Sequence, residues 1–291
     1  MSHYGIEDRC YHVIEAGSGD PLLLLHGFTG DAATWRPLMD QFAAHFRVIA
    51  IDLPGHGQTV MPADITCYTM DSVSADIARL LASMKAWPAH CLGYSMGGRL
   101  ALYTALSQSE AIRSLILESA SPGLSDAVER DARREQDELL AARIERLGIP
   151  SFVDYWQELP LFRSQTRLPT ATRRQVREQR LSNSAAGLAM SLRGMGTSAQ
   201  PELWTQLHKL QVPTLLVAGE FDEKFVALNR RMVAGSPRAK LCIVAGAGHA
   251  VHLEQPQRFA ETVLDFLLNL SQIDGQELAD AKQCDEHKGS N

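Results

Sequence analysis

Gly93-Tyr-Ser95-Met-Gly97 stands between a short apolar run and Gly98-Arg-Leu-Ala-Leu-Tyr-Thr-Ala-Leu106, which reads as a helix. A serine between glycines at a sharp strand-to-helix turn presents its Oγ at the helix N-terminus, the placement a nucleophile elbow requires. Chance occurrence of this five-residue pattern is the bland alternative; strand, turn and helix in order argue against it. Such a serine needs an acid and then a histidine farther along, each after a strand. Asp222 follows Thr214-Leu-Leu-Val-Ala-Gly-Glu-Phe221, and His249 follows Leu241-Cys-Ile-Val-Ala-Gly-Ala-Gly248. Glu220 competes for the acid role but reads as a solvated loop carboxylate. His252 competes with His249, yet Gly246-Ala-Gly248 forms the tight loop that can deliver the His249 ring, which leaves His252 a packing role. An oxyanion hole needs two backbone N–H groups aimed at one point. Met96, after the serine, supplies one, and Phe28 in the turn His26-Gly-Phe-Thr-Gly30 supplies the other. His26 reads as a buried, hydrogen-bonded residue that shapes this turn. Asp52 and His56 read as braces of the turn Asp52-Leu-Pro-Gly-His-Gly57.

The elements that must carry these residues follow from the hydrophobic pattern. Pro21–Leu25, Arg47–Ile51, Ala89–Leu92 and Arg113–Glu118 are short, nearly all-apolar strand candidates, which suits a parallel sheet covered on both faces. Between them, Val73, Ile77, Leu80, Leu81 and Met84 fall at helical spacing, with Asp71 and Ser72 as candidate N-caps. Alternating strands and helices predict an α/β fold with right-handed crossovers. From about residue 124 to 205 the sequence is polar and helical with no convincing strand. Val212–Ala218 and Ala239–Val244 then resume the sheet, and a helix from Pro256 to Leu270 follows. The expected organisation is a core of residues 1–121 and 206–271, a helical lid of 122–205, and a loose, disordered acidic tail of 272–291.

Composition narrows the function classes. The 291 residues are 45% apolar and 21% charged, an ordinary globular balance. No run approaches about 18 consecutive apolar residues, so no membrane span is expected. The N-terminus lacks a basic region followed by an apolar stretch, so no secretory signal is expected. A net charge of −6 argues against nucleic acid as the main partner. The five cysteines, at 10, 67, 91, 242 and 284, are odd in number and scattered, which reads as reduced thiols of a cytoplasmic protein. No metal or organic cofactor is expected, because the histidines lack ligand spacing. The segment 122–200 holds 12 arginines and no lysine against 10 acids. A lid rich in Arg and empty of Lys suits bidentate recognition of several carboxylates on a small polyanion. Most of these arginines are expected to pair with acids on exposed helix faces. Arg99 is a sharper candidate, one helical turn after Ser95.

His26-Gly27, Asp52-Leu-Pro-Gly-His-Gly57, Gly93-Tyr-Ser-Met-Gly-Gly98 and Gly248-His249 resemble the α/β-hydrolase superfamily, over roughly residues 12 to 270. Other strings resemble one member family, the 2-succinyl-6-hydroxy-2,4-cyclohexadiene-1-carboxylate synthases of menaquinone biosynthesis. These are Gly27-Phe-Thr-Gly-Asp31 with Trp35, Gly93-Tyr-Ser-Met-Gly-Gly-Arg99, Pro122-Gly-Leu124 and the arginine-bearing stretch Glu129 to Asp137. Leu192-Arg-Gly-Met-Gly-Thr197 with Gln200-Pro201, and Gly219-Glu-Phe-Asp-Glu-Lys-Phe225, complete them. The resemblance implies an α/β-hydrolase fold, a mostly parallel central sheet flanked by helices with a helical lid inserted. It implies a lyase that eliminates pyruvate from 2-succinyl-5-enolpyruvyl-6-hydroxy-3-cyclohexene-1-carboxylate and consumes no water. By the same resemblance Arg99, Arg133 and Arg180 match positions that bind the substrate carboxylates, with Arg134 competing for the place of Arg133. An aromatic of Asp154-Tyr-Trp156 belongs to the pocket, and Tyr155 and Trp156 both remain open, while Tyr94 can present its hydroxyl.

Two other readings use the same residues. A serine hydrolase would act on an ester or C–C bond of an anionic small molecule with the same triad. A non-enzymatic receptor would hold its ligand under the lid, and the filled triad positions argue against it. Ser95 excludes the epoxide hydrolase and haloalkane dehalogenase versions, which need Asp at the elbow.

Overall fold

The computed structural model describes residues 2–270. The expected tail, 272–291, lies outside them. Eight strands form one sheet: β1 (Ser2–Ile6), β2 (Arg9–Ala16), β3 (Pro21–Leu25), β4 (Arg47–Ile51), β5 (Ala89–Tyr94), β6 (Ile112–Glu118), β7 (Thr214–Gly219) and β8 (Ala239–Val244). Their spatial order is β1-β2-β4-β3-β5-β6-β7-β8. All neighbours from β4 onward in that order are parallel; β2 runs antiparallel to both β1 and β4. The sequence pattern does not reveal the β1–β2 hairpin. Its outer strand is mostly exposed and polar, so it lacks the apolar run that marks the central strands.

The apolar runs face two layers at once. In β3, Leu23 and Leu25 pack with Val73, Ile77 and Leu81 of α2 (Met70–Ser83) and Leu100 of α3 (Met96–Ser107). Leu22 and Leu24 point the other way, onto Leu38 and Phe42 of α1 (Arg36–Ala43) and Phe259 and Val263 of helix 256–270. All four leucines are fully buried. Alternation in a strand covered on both faces is what an unbroken leucine run encodes. The N-cap of α2 is Thr69, whose side chain accepts the Ser72 N–H, and not Asp71 or Ser72. The helix begins one residue earlier than its apolar spacing suggests, because Met70 joins the buried face.

Between β6 and β7 the chain is helical: α4 (Ala127–Gln157), α5 (Thr170–Leu181) and α6 (Ala185–Met195), with short 3₁₀ turns. Gly148, at φ 75°, breaks α4 into two arms just before Pro150. After β7 come α7 (Glu223–Gly235) and, past β8, the short α8 (Val251–Glu254). No helix among the described residues is long and apolar enough to cross a membrane.

The turn between β5 and α3 sets the geometry of everything above the sheet. Ser95 sits at φ 51° and ψ −107°, a backbone that L-residues rarely adopt. Its N–H donates to the Glu118 carbonyl at 2.8 Å, and its carbonyl accepts the Arg99 N–H at 2.9 Å. The turn closes only because its flanks carry no side chains. A Cβ on Gly93 would strike the Gly97 carbonyl oxygen, and one on Gly97 would strike that of Leu25. Gly97→Ala is therefore expected to lower stability by about 1–3 kcal/mol through forced overpacking. Urea denaturation checks this, and a variant as stable as wild type would contradict the packing described.

Candidate active site

Three segments converge at the C-terminal ends of β5, β7 and β8. The elbow carries Ser95, the loop after β7 carries Asp222, and the loop after β8 carries His249. Asp222 Oδ2 lies 2.6 Å from His249 Nδ1, and His249 Nε2 lies 3.1 Å from Ser95 Oγ. An ionised carboxylate only accepts, so Nδ1 carries the imidazole proton and donates it to Asp222. Nε2 is then the acceptor for the Ser95 hydroxyl. Asp222 and His249 are both buried. Phe225 packs on the imidazole with ring centroids 4.8 Å apart. Glu220 is exposed and its carboxylate accepts the Gly246 N–H at 3.0 Å, on the loop that leads to His249.

The turn after β3 is held by two neutral histidines. His26 Nδ1–H donates to the Gly27 carbonyl at 2.8 Å, and its Nε2 accepts the Leu53 N–H at 2.9 Å. The Gly27 carbonyl shares its peptide plane with the Phe28 N–H, and the Gly30 N–H also donates to it. Fixing that oxygen therefore fixes where the Phe28 N–H points. His56 Nε2 accepts the Thr29 N–H at 3.3 Å, so its Nδ1–H donates to the Pro54 carbonyl. Burial lowers the pKa of both rings; His56 is brought down to about 3, with neighbouring His26 adding to the effect. Asp52 braces the same region: it accepts the N–H groups of Ala32 and Gln58 and faces His12 Nδ1 at 2.8 Å.

Phe28, Tyr94, Ser95, Met96 and His249 line a cavity of about 1050 Å³ between the sheet and the helical insertion. Arg99, Arg133, Trp156 and Arg180 line it as well. Arg99 is 9% exposed and donates to the Gly196 carbonyl and to Gln200 Oε1. Burial, with repulsion from Arg133, brings its pKa down to about 10, so it stays cationic at neutral pH. Arg180 is 8% exposed, donates to Gln165 Oε1, and lies over the Phe162 ring. Among the described residues no carboxylate pairs with either guanidinium. Arg133 does have one: its Nε donates to Asp137 at 2.7 Å, which leaves its other N–H groups for the cavity. Arg134 instead pairs with Asp131 on the outer face. Arg174, Arg177 and Arg193 likewise pair with acids.

Two expectations need correction or addition. Tyr155 does not line the cavity; it is 39% exposed, under the Arg143 guanidinium, because Trp156 takes the inward position on that turn of α4. His252 does pack, as expected, against Tyr94 and Trp35, but it also lines the cavity and pairs with buried Glu118. Lys224 lines the cavity too and was not anticipated. Its place in the stretch between Asp222 and Phe225 was the only available signal. The Tyr94 hydroxyl is held protonated by burial, with Glu118 adding to the effect.

Residues 20–256 match the α/β hydrolase fold family. The chain is 41% identical over 262 residues to a Bacillus subtilis (strain 168) protein assigned as a 2-succinyl-6-hydroxy-2,4-cyclohexadiene-1-carboxylate synthase, covering 89% of this chain and 95% of that one. The synthase of that name from Serratia proteamaculans (strain 568) is 34% identical over 260 residues, covering 88% and 97%. The structure of MenH from S. aureus superimposes with a TM-score of 0.85 at 38% identity, over 92% of this chain and 99% of that one.

The two neutral histidines give the protein a specific acid response. A histidine whose folded pKa lies below its unfolded value binds its proton more readily when unfolded. The stability His56 lends is thus complete above about pH 6.5 and lost as the pH falls toward 3. By pH 5 that loss is about 2 kcal/mol. In urea titrations, the stability gap between wild type and His56→Gln is expected to narrow from pH 7.5 to pH 5. A constant gap would contradict it.

Proposed function

We propose a reaction from one premise: the chain belongs to the α/β-hydrolase superfamily and, within it, to the 2-succinyl-6-hydroxy-2,4-cyclohexadiene-1-carboxylate synthase family. It is a lyase of menaquinone biosynthesis. The substrate is 2-succinyl-5-enolpyruvyl-6-hydroxy-3-cyclohexene-1-carboxylate, and the reaction is loss of pyruvate. The single observation that carries the reading at this site is a pair of buried guanidinium groups, Arg99 and Arg180, neither in ion-pair contact with a carboxylate among the described residues, opening on the cavity that holds Ser95. A buried cation without a counter-charge is costly unless a ligand supplies one. A neutral ester would not.

The succinyl ketone makes the adjoining ring C–H acidic. Ser95 Oγ takes that proton while passing its own to His249 Nε2, along the 3.1 Å contact. Asp222 keeps the imidazole in the receiving tautomer and stabilises the imidazolium. Negative charge moves onto the ketone oxygen, where the N–H groups of Phe28 and Met96 receive it. As the enolate collapses, its electrons form a new ring double bond, the existing one shifts by one position, and the C–O bond to the enolpyruvyl group breaks. The enolpyruvate leaves as an enolate and gains a proton to become pyruvate. No bond to Ser95 forms. Arg99, Arg133 and Arg180 hold the carboxylates, Trp156 and Tyr94 complete the walls, and the helical insertion acts as the lid. A cytoplasmic setting goes with this reading, supported by the free thiols of Cys10, Cys67, Cys91 and Cys242.

Ser95→Ala is expected to slow pyruvate release by about 10³-fold or more, after subtraction of spontaneous decomposition. Near wild-type elimination would overturn the role of Ser95. Cleavage of neutral p-nitrophenyl esters faster than the elimination would move the reading to a serine hydrolase. Arg99→Met removes charge-assisted hydrogen bonds and is expected to lower kcat/KM by about 10- to 100-fold. Unchanged kcat/KM would remove Arg99 from the substrate site.

A further inference from the structure

Thr29 lies next to Phe28 with φ at 72°, the left-handed region that a β-branched residue resists. Such a conformation persists only where its surroundings over-determine it. Two hydrogen bonds do so. His56 Nε2 holds the Thr29 N–H, as described, and Asn183 Nδ2 donates to the Thr29 carbonyl at 2.9 Å. The first bond comes from the core and the second from the insertion. Asn183 is 8% exposed and does not line the cavity. Its other Nδ2 contacts are the carbonyls of Gln179 at 3.3 Å and Arg180 at 3.2 Å. All three neighbours accept, so the amide has one permitted orientation. The adjoining turn is tied to the same loop by Gln179, whose Nε2 donates to Asp31 Oδ1 and, at 3.0 Å, to Thr34 Oγ1.

We propose that Asn183 is a positioning residue for the oxyanion hole: it links the turn that carries Arg180 to the strained Thr29 and so keeps the Phe28 N–H on aim. The inference rests on the reading of Phe28 as an oxyanion donor. Without the Asn183 donor, one of the two restraints on Thr29 is gone. The residue relaxes toward negative φ, and the peptide units around Phe28 turn with it. Arg180, on the other side of the link, is held separately by Gln165 and the Phe162 ring, so loss of the Asn183 donor frees Thr29 and leaves that guanidinium in place. The role acts on the charge that develops during reaction and not on ground-state binding.

Two readouts on Asn183→Ala test it. In the elimination assay kcat is expected to fall about 10- to 100-fold with KM within twofold. In the second, phenylmethylsulfonyl fluoride sulfonylates Ser95 Oγ with loss of fluoride, the hydroxyl proton going to His249; this inactivation is expected to slow by a similar factor. The second readout needs no elimination substrate, so it reports on Asn183 even if the proposed reaction fails. Thr29→Gly removes the strain that the bond opposes. In that background Asn183→Ala is expected to lose at most a few-fold, a rescue that a general packing defect would not produce. Should the alanine variant not fold, Asn183→Asp keeps the shape, replaces the donor by an acceptor, and is expected to show both losses. Overturning results are unchanged kcat and inactivation rate in a folded variant, a rise in KM alone, or equal losses with Thr29 and with Gly at position 29.

Discussion

The site depends on one strained residue. Ser95 turns the chain from β5 into α3 at a positive φ, and that turn aims its hydroxyl out of the sheet at the first turn of a helix. The strain is held by what surrounds it: the Glu118 carbonyl on its N–H, and glycine backbones against one another where any side chain would collide. From this point the other parts follow by register. β5 lies between β3 and β6, so the turn after β3 arrives beside the serine; β7 and β8 deliver the carboxylate and the imidazole from the opposite side. A parallel sheet brings all these loops to one edge, which is why residues scattered from 28 to 249 meet within one cavity.

Electrostatics then divides the site into two kinds of charge. In the loop after β3 the two buried imidazoles, His26 and His56, are kept neutral by burial and serve as fixed donors and acceptors, beside the carboxylate of Asp52. Toward the insertion the cavity carries guanidinium groups, two of which, Arg99 and Arg180, are buried without a carboxylate in ion-pair contact among the described residues. Arginine tolerates this better than lysine would, since burial leaves its pKa high enough to keep the charge at neutral pH. The insertion contains no lysine at all between residues 122 and 200. The outward Arg134 and Arg174 pair with acids on exposed helix faces, where such a pair contributes at most about 1 kcal/mol.

Much of this was legible because the signals are local. β3, β4 and β8 begin and end where their apolar runs do, since each run is bounded by proline, glycine or a charge. The elbow was legible because only glycine fits its flanks, and Asp222 stood apart from Glu220 by its position relative to the strand. The parts that were not legible depend on rotation or on partners far away in sequence. Tyr155 and Trp156 are adjacent, and which one faces inward is set by the phase of the second arm of α4 after the break at Gly148. Arg133 and Arg134 pose the same problem, settled by Asp137 lying four residues on from the first. The outer strand of the β1–β2 hairpin, Ser2–Ile6, lies at the sheet edge with mostly exposed, polar residues, and its composition does not separate it from a loop. Asn183 has no signature of its own; its partner lies 154 residues earlier.

The ties between insertion and core run one way: the donors are Gln179 of α5 and Asn183 of the turn between α5 and α6, and the acceptors Thr29, Asp31 and Thr34 belong to the loop after β3 and the 3₁₀ turn that follows it. The insertion is therefore not a module. Grafting these helices onto a related sheet would carry Arg133 and Arg180 across but leave behind Arg99 on α3 and the acceptors of the loop after β3. In this chain residues 27–34 and the insertion form a single block split in two by the sequence, and an exchange that preserves these bonds has to move both together.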